Sequence, residues 1–136
     1  MSVELPSPKM KLVDHGVECG VQWVTCEAPL YGAINGYVKI PVGHHWHGLD
    51  YDEIGVDVHG GLTYGGGPGG WIGFDCLHCN DWWPGQRKYE GAPGFSDTEW
   101  TPEMVADEAR RLARNVAAAG YDMADLSGSY VQMSDD

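Results

Sequence analysis

The amino-acid sequence predicts an α+β fold, in which a small antiparallel sheet of four to five strands is packed by one main C-terminal helix. Two patterns carry this prediction. Short segments alternate apolar and polar side chains between glycine-rich and proline-rich turns, and a later segment repeats apolar residues every three or four positions. The chain has 136 residues, of which 43% are hydrophobic, so it is long enough for one core and short for two. We therefore expect a single domain over residues 1–136.

The first two strands are predicted on either side of a turn-rich stretch. Residues 1–9 are polar, contain two prolines and are expected to form a flexible lead-in. The alternating segment 20–28 predicts the first strand. After the sequence APLYGAING, residues 37–40 predict a short strand that Pro41 ends or places at the edge of the sheet.

A half-buried strand followed by a hairpin is predicted in the middle of the chain. Residues 54–58 carry apolar side chains at every second position, which is typical of a strand with one buried face. Segment 62–64 is expected to pair onward, and the run GGGPGG to connect it to a strand over 71–76. This arrangement would bring His59 and Asp75 onto neighbouring strands of one sheet.

The main helix is predicted after a long surface loop over residues 80–96. Thr101 suits the N-cap, and Pro102 suits the first helical position. Apolar side chains then recur on one face up to Gly120, which suits the C-terminal cap. That face has to pack on the sheet, and residues 125–136 are expected to fray as a tail.

The charge of the chain restricts its partners. Twenty acidic and eight basic side chains give a formal charge of −12, which repels nucleic-acid phosphates and disfavours nucleic acid as a partner. Arg110, Arg111 and Arg114 follow Asp107 and Glu108 on the predicted helix, a pattern typical of a solvated face with ion pairs. An acidic surface of this kind can also occupy a basic groove on another protein.

The sequence further predicts a cytoplasmic protein that does not enter a membrane. No stretch approaches the roughly 20 apolar residues of a membrane span, and the start MSVELPSPKM lacks the features of a signal peptide. A reducing compartment would keep the four cysteines free. Small binding proteins are often homo-oligomers, so a homo-oligomer is one expectation.

The densest group of reactive side chains lies in the sequence GFDCLHCND. It places Asp75, Cys76, His78, Cys79 and Asp81 at the end of a predicted strand, and loops that follow strands often carry functional sites. Thiolate, imidazole and carboxylate are the ligands that zinc prefers, and CxxC is the usual spacing for half of a structural zinc site.

A mixed ligand set is the zinc site that the sequence favours. Cys19 and Cys26 cannot complete an all-cysteine site, because an extended strand would separate them by about 23 Å and turn them to opposite faces. The predicted metal ligands are His59, Asp75, His78 and Asp81, with Cys76 and Cys79 as alternates. Such a set would hold Zn²⁺ with open positions for an activated water. In the competing interpretation these residues form hydrogen bonds within their own turns, and the cysteines are buried in the core.

A second histidine group lies in the sequence GHHWHG. His44, His45 and His47 fall in a loop because glycine and proline surround them. A solvated histidine loop or a pH-sensitive lid is favoured over a metal site, although one of these imidazoles could complete the cluster described above.

The glycine-rich sequence HGGLTYGGGPGG suggests a pocket beside the same cluster. Glycines let a ligand approach the backbone closely, and the nearby aromatic rings would stack on a planar ligand such as a nucleobase. The predicted ligand-binding residues are His59, Gly60, Gly61, Thr63, Tyr64, Trp71, Trp82 and Trp83. The competing interpretation places the aromatic side chains in the core.

Part of the chain resembles a family of uncharacterised proteins. The segments DYDEIGVDVHGGLTYGG and WIGFDCLHCND, with NGYVKIP upstream, resemble small acidic proteins of unassigned function from bacteriophages and prophages. The resemblance covers residues 35–81, with a VHGGLT element at 58–63 and a GFDxxHxxD element at 73–81, in which Cys79 is an addition. It implies a viral accessory protein of the host cytoplasm and supplies no mechanism.

Two functional hypotheses follow. In the first, a phage protein counters host defence by binding, either sequestering a small nucleotide-like ligand or blocking a host defence protein. In the second, a metal-dependent hydrolase uses His59, Asp75 and His78 as its candidate catalytic residues. Both require His59 to lie within about 15 Å, or three strand spacings, of Asp75 or His78.

Overall fold

The computed structural model describes residues 3–87 and 91–126, and it has the predicted α+β architecture. One antiparallel sheet has the strand order β1-β2-β3-β4, and one main helix, α1, packs on it. The strands and the helix are β1 (Leu12–Glu18), β2 (Val21–Glu27), β3 (Ile34–Lys39), β4 (Trp71–Phe74) and α1 (Pro102–Leu126). No helix among these described residues has the length and apolar content needed to cross a bilayer.

The strands β1 and β2 form a tight hairpin. Cys19 and Gly20 have φ values of 51° and 80°, the positive values that suit the twist of a two-residue hairpin turn. Strand β2 confirms the prediction for residues 20–28, and β3 begins ahead of the predicted residue 37. Strand β1 was not predicted, because this edge strand is mostly exposed and lacks an apolar alternation.

Helix α1 covers one face of the sheet and packs across β1, β2 and β3. The predicted start is confirmed, since the Thr101 hydroxyl accepts a hydrogen bond from the backbone N–H of Met104 at 3.2 Å. The predicted end is wrong, because the helix continues past Gly120 to Leu126. A Cβ at Gly120 would lie 2.7 Å from Cδ2 of His44, so this glycine makes room for an imidazole rather than ending the helix.

The opposite face of the sheet has its own small core. It contains the buried residues Val24, Cys26, Tyr37 and Trp71, with Tyr64 packed against them. The segment predicted as a flexible lead-in covers this core instead: Val3 and Leu5 pack against it, and Lys39 forms an ion pair with Glu4 at 2.7 Å. Two apolar surfaces of one sheet therefore need two covers, the helix and the N-terminal segment.

Residues 54–58 do not form the predicted strand, although the predicted alternation of burial is present. Ile54 and Val58 are buried in the main core, while the backbone between them pairs with no strand of the described residues. Next to this segment, Tyr64 forms an isolated bridge with Gly73 of β4. Two apolar anchors therefore produce the periodicity of a strand without a hydrogen-bonded ladder.

The region after β4 is more regular than the predicted long loop over 80–96. Strand β5 (Asp81–Trp82) pairs in parallel with β6 (Thr98–Glu99), directly before the helix. Strand β4 ends at Phe74 and not at residue 76. The predicted frayed tail over 125–136 falls almost entirely outside the described residues, and positions 125 and 126 belong to the helix.

Helix packing predicts that Gly36→Ala destabilises the fold. A Cβ at Gly36 would lie 2.5 Å from the ring of Phe74 and 3.4 Å from Cβ of Ala109, and overpacking of this kind costs about 1–3 kcal/mol. Chemical denaturation would measure the loss in the free energy of unfolding. Gly67→Ala is the control, since its Cβ would meet nothing within 4 Å. Equal stability of the two variants would contradict this packing.

Candidate metal centre

Three of the predicted ligands converge at one point. His59, His78 and Asp81 each offer a ligand atom, and these atoms lie within 4.8 Å of one another. His59 lies in the turn after segment 54–58, His78 lies in the turn after β4, and Asp81 begins β5. The rings of His59 and His78 are 5.8 Å apart between centroids, well inside the limit that both functional hypotheses require.

The carboxylate of Asp81 is the centre of this group. Its side chain is only 3% exposed, and three donors point at it. The Nε2 atom of His59 lies 2.9 Å from Oδ1 and 3.0 Å from Oδ2. The backbone N–H of His78 donates to Oδ2 at 2.9 Å, and the indole N–H of Trp100 donates to Oδ1 at 2.8 Å.

These donors keep the buried carboxylate ionised. Burial alone would raise the pKa of Asp81, but the hydrogen bonds from His59, His78 and Trp100 outweigh it and hold the pKa below its ordinary value. A negative charge is therefore present at neutral pH in a site that water hardly reaches, and a cation would find its strongest partner there.

The imidazole of His78 has an unsatisfied nitrogen that faces two carboxylates. Its Nδ1 atom lies 3.4 Å from an oxygen of Asp75 and 3.4 Å from an oxygen of Asp81. This nitrogen is buried and makes no hydrogen bond among the described residues. Thr25, Asn35 and Trp82 also have a buried polar atom without a hydrogen bond in the described part of the chain, but the one on His78 lies beside two carboxylates, which makes it a candidate ligand atom for a cation.

Gly60 allows the His78 ring to take this position. It has a φ of 68°, and a Cβ there would collide with Cε1 and Nδ1 of His78. Gly60 was predicted to line a ligand pocket, whereas in the structure it contacts the imidazole of His78, a candidate metal ligand.

The remaining members of the predicted cluster lie outside the group of three. Asp75 accepts a hydrogen bond from the backbone N–H of Leu77 at 3.1 Å, and its carboxylate lies 3.4 Å from the Nδ1 atom of His78. All four cysteines are free. Burial raises the pKa of the Cys76 thiol far above its usual range, so it stays protonated and is a poor ligand. Cys79 is exposed and is not part of the group.

The backbone around His59 is held by the helix. The carboxylate of Glu108 accepts a hydrogen bond from the backbone N–H of His59 at 2.7 Å. Arg111 forms two hydrogen bonds with Glu108 and one with Asp57, and the side-chain amide of Asn115 donates to the carbonyl of Asp57 at 3.1 Å. The predicted ion pairs on this face are present, but Glu108 is not solvated as expected, because its side chain is only 15% exposed and accepts the hydrogen bond from His59.

The predicted aromatic pocket is not assembled. Trp71 and Tyr64 pack on the opposite face of the sheet, while Trp83 is part of the main core and donates its indole N–H to the carbonyl of Cys76. Trp82 is 3% exposed. Thr63 donates its backbone N–H to the carbonyl of Gly73, and Gly61 donates to that of Val58. Of these six predicted ligand-binding residues, Trp82 lines the cavity beside His78 and Asp81, and the other five are not part of that lining.

The histidine loop is anchored through His44, while His45 is exposed, as expected for a solvated loop. The Nδ1 atom of His44 accepts a hydrogen bond from the backbone N–H of Trp46 at 3.0 Å. The ring proton is therefore on Nε2, which donates a hydrogen bond to the carbonyl of Val116 at 2.9 Å. Burial lowers the pKa of His44, which keeps this neutral form. His45 stacks on His44 at 4.7 Å, and His47 lies against Gly70. None of the three belongs to the candidate metal group.

A cavity adjoins the candidate metal centre. It has a volume of about 320 Å³, and its lining includes His78, Asn80, Asp81 and Asp97. Among the described residues that line it, none is a lysine or an arginine. The cavity is therefore suited to a neutral or positively charged molecule more than to a free phosphate.

Comparisons with protein-family models, with curated proteins and with solved structures return no match for this chain. The bacteriophage and prophage resemblance stays a prediction from the quoted segments.

The hydrogen bonds to Asp81 predict how stability depends on pH. A carboxyl group whose pKa is lower in the folded than in the unfolded chain stabilises the fold above its unfolded pKa, about 4, and this contribution is lost as pH falls through the folded pKa. Asp81→Asn is therefore expected to unfold more easily than wild type at pH 7, with a difference that shrinks below about pH 4. Denaturation from pH 2 to 7 would measure it.

Asp107→Asn is the control for this measurement, because the Asp107 side chain is 78% exposed and its substitution should change stability little at any pH. A stability difference between wild type and Asp81→Asn that does not depend on pH would contradict the proposed role of the ionised carboxylate.

Proposed function

We propose that this protein is a metal-dependent hydrolase, with Zn²⁺ as the best-matched ion and His59, His78 and Asp81 as its ligands. The observation that carries the proposal is the buried Nδ1 of His78, which makes no hydrogen bond among the described residues and lies 3.4 Å from the buried carboxylate of Asp81. A metal ion would satisfy this nitrogen and neutralise the carboxylate at once.

The ligand separations support zinc. Zinc binds imidazole nitrogen and carboxylate oxygen at about 2.0–2.2 Å, so two ligand atoms of a tetrahedral site are about 3.3 Å apart. The Oδ2 atom of Asp81 lies 3.0 Å from the Nε2 atom of His59 and 3.4 Å from the Nδ1 atom of His78, and the ligand atoms of the three residues all lie within 4.8 Å of one another. Binding would replace the proton that His59 shares with Asp81 in the metal-free protein, as metal ligation usually releases protons.

The number of ligands supports catalysis over a purely structural role. Structural zinc sites have four protein ligands, whereas catalytic sites have three and keep a position for water or substrate. Among the described side chains the group contains three ligands. His78 and Asp81 also line the adjoining cavity, which offers room for a small substrate next to the ion.

Each residue of the site would have a separate role in hydrolysis. The metal, when bound, would supply an activated water. Asp75, whose carboxylate lies 3.4 Å from His78, is the candidate general base, because it is ionisable, partly exposed and not one of the three ligands. Trp100 would keep Asp81 in place through its indole N–H.

The binding hypothesis has less support from the described residues. Of the three tryptophans assigned to a stacking wall, Trp71 and Trp83 are buried away from the adjoining cavity and only Trp82 lines it. A phosphate there would face Asp81 and Asp97 without a lysine or arginine from the described lining. Counter-defence by sequestering a nucleotide-like ligand or blocking a host protein therefore stays a prediction from composition and resemblance.

Metal analysis tests the proposed ligand set directly. Wild-type protein is expected to bind one Zn²⁺ per chain. His59→Ala and His78→Ala should each weaken binding by more than about 100-fold, since loss of outer partners alone costs about 10- to 100-fold. Calorimetric titration with Zn²⁺ would measure this. His15→Ala is the matched control, because this histidine is exposed on β1. Wild-type binding that His78→Ala leaves unchanged would contradict the ligand assignment.

A hydrolysis assay separates an enzyme from a metal-binding protein. The zinc-loaded protein is expected to cleave the neutral ester p-nitrophenyl acetate faster than the anionic p-nitrophenyl phosphate, because acidic groups line the cavity. Chelation of the metal and Asp75→Asn should each lower the rate. Stoichiometric Zn²⁺ binding with no turnover of a broad set of esters and amides would contradict the catalytic part of the proposal.

A further inference from the structure

The segment that carries His59 lacks the support that strands give to most functional side chains. Residues 54–58 belong to no strand of the described chain, so no ladder of backbone hydrogen bonds fixes the position of the imidazole. Its two apolar anchors, Ile54 and Val58, fix the path of the segment in the core. The polar backbone groups between these anchors and directly after them still need hydrogen-bond partners.

Helix α1 supplies these partners from one face. Glu108, Arg111 and Asn115 follow one another at spacings of three and four residues, which places them side by side on a helix. The Glu108 carboxylate accepts a hydrogen bond from the backbone N–H of His59, and the Asn115 side chain donates one to the backbone carbonyl of Asp57. The helix thus makes the kind of contacts that a neighbouring strand would otherwise make.

Arg111 fixes the orientation of the carboxylate in this contact. Its guanidinium binds Glu108 through two nitrogens, at 2.9 Å and 2.7 Å, and reaches Asp57 at 2.8 Å. A bidentate pair of this kind holds the carboxylate in one geometry. The Glu108 side chain is 15% exposed, so water competes little with the hydrogen bond to His59.

We infer that Glu108 is a positioning residue that holds His59 in the geometry of the metal centre through its backbone N–H, with Arg111 as its support. The link to metal binding rests on the proposed function. Glu108 is neither one of the three candidate ligands nor a residue of the cavity lining, and it acts at the main chain of one ligand, as outer partners of metal sites do.

The test uses the full chain, hydrogen exchange of the metal-free protein and the absorption spectrum of the Co²⁺-loaded protein. Glu108→Ala is expected to speed exchange of the His59 amide while the amides of β2 keep their rates. It should also weaken Co²⁺ binding by about 10- to 100-fold, the usual effect of losing an outer partner, and change the absorption bands of the bound ion. Glu108→Gln keeps an acceptor for the amide and should restore part of both.

The chain provides a matched control one position earlier. Asp107 and Arg110 form an ion pair with the same spacing on the same helix, and Asp107 is exposed, so Asp107→Ala should change neither readout. Arg111→Lys removes the bidentate support, so its His59 exchange rate and its Co²⁺ affinity should lie between those of wild type and Glu108→Ala. If the alanine variant does not fold, Arg111→Lys and Glu108→Gln provide the test.

The outcomes separate this inference from the proposed function. Unchanged exchange at His59 together with an unchanged Co²⁺ spectrum in Glu108→Ala would overturn the positioning role, whatever the wild-type affinity for metal. If wild type binds no Co²⁺ but Glu108→Ala speeds His59 exchange selectively, the metal proposal fails and the positioning of His59 by Glu108 stands. A uniform rise in exchange across all strands would also overturn it, since that indicates a general loss of stability.

Discussion

The buried carboxylate of Asp81 is the interaction on which the site depends. A negative charge with little access to water is costly unless donors surround it, and here the donors come from three separate parts of the chain: His59, His78 and Trp100. Satisfying one carboxylate therefore brings together the turn before the glycine-rich run, the turn after β4 and the residue that follows β6. The convergence of two imidazoles on a carboxylate is a consequence of that requirement.

The fold could be predicted where a local pattern has one physical cause. The helix start followed from the capping preferences of Thr101 and Pro102, and the alternation of β2 followed from the two faces of a sheet. Alternation failed over residues 54–58, because two buried anchors give the same period whether or not a strand pairs beside them. The helix end was wrong because Gly120 serves the packing of His44, a contact that no local pattern contains.

The site could be predicted in its residue types and only in part in its geometry. The sequence near β4 supplied the imidazole and carboxylates, and the expected neighbour His59 is indeed close to His78. Trp100 and Glu108 were missed, since an indole before a helix and an ion pair on a helix are common features of stable surfaces. Their roles depend on long-range contacts, which the spacing of residues along the chain does not encode.

Anomalous diffraction from crystals grown with Zn²⁺, recorded above and below the zinc absorption edge, would show whether these three side chains bind the ion. We expect one strong zinc peak at about 2.0–2.2 Å from the Nε2 atom of His59, the Nδ1 atom of His78 and a carboxylate oxygen of Asp81. A map with no zinc peak between these three side chains, or with zinc bound only at the histidine loop of residues 44–47, would contradict it.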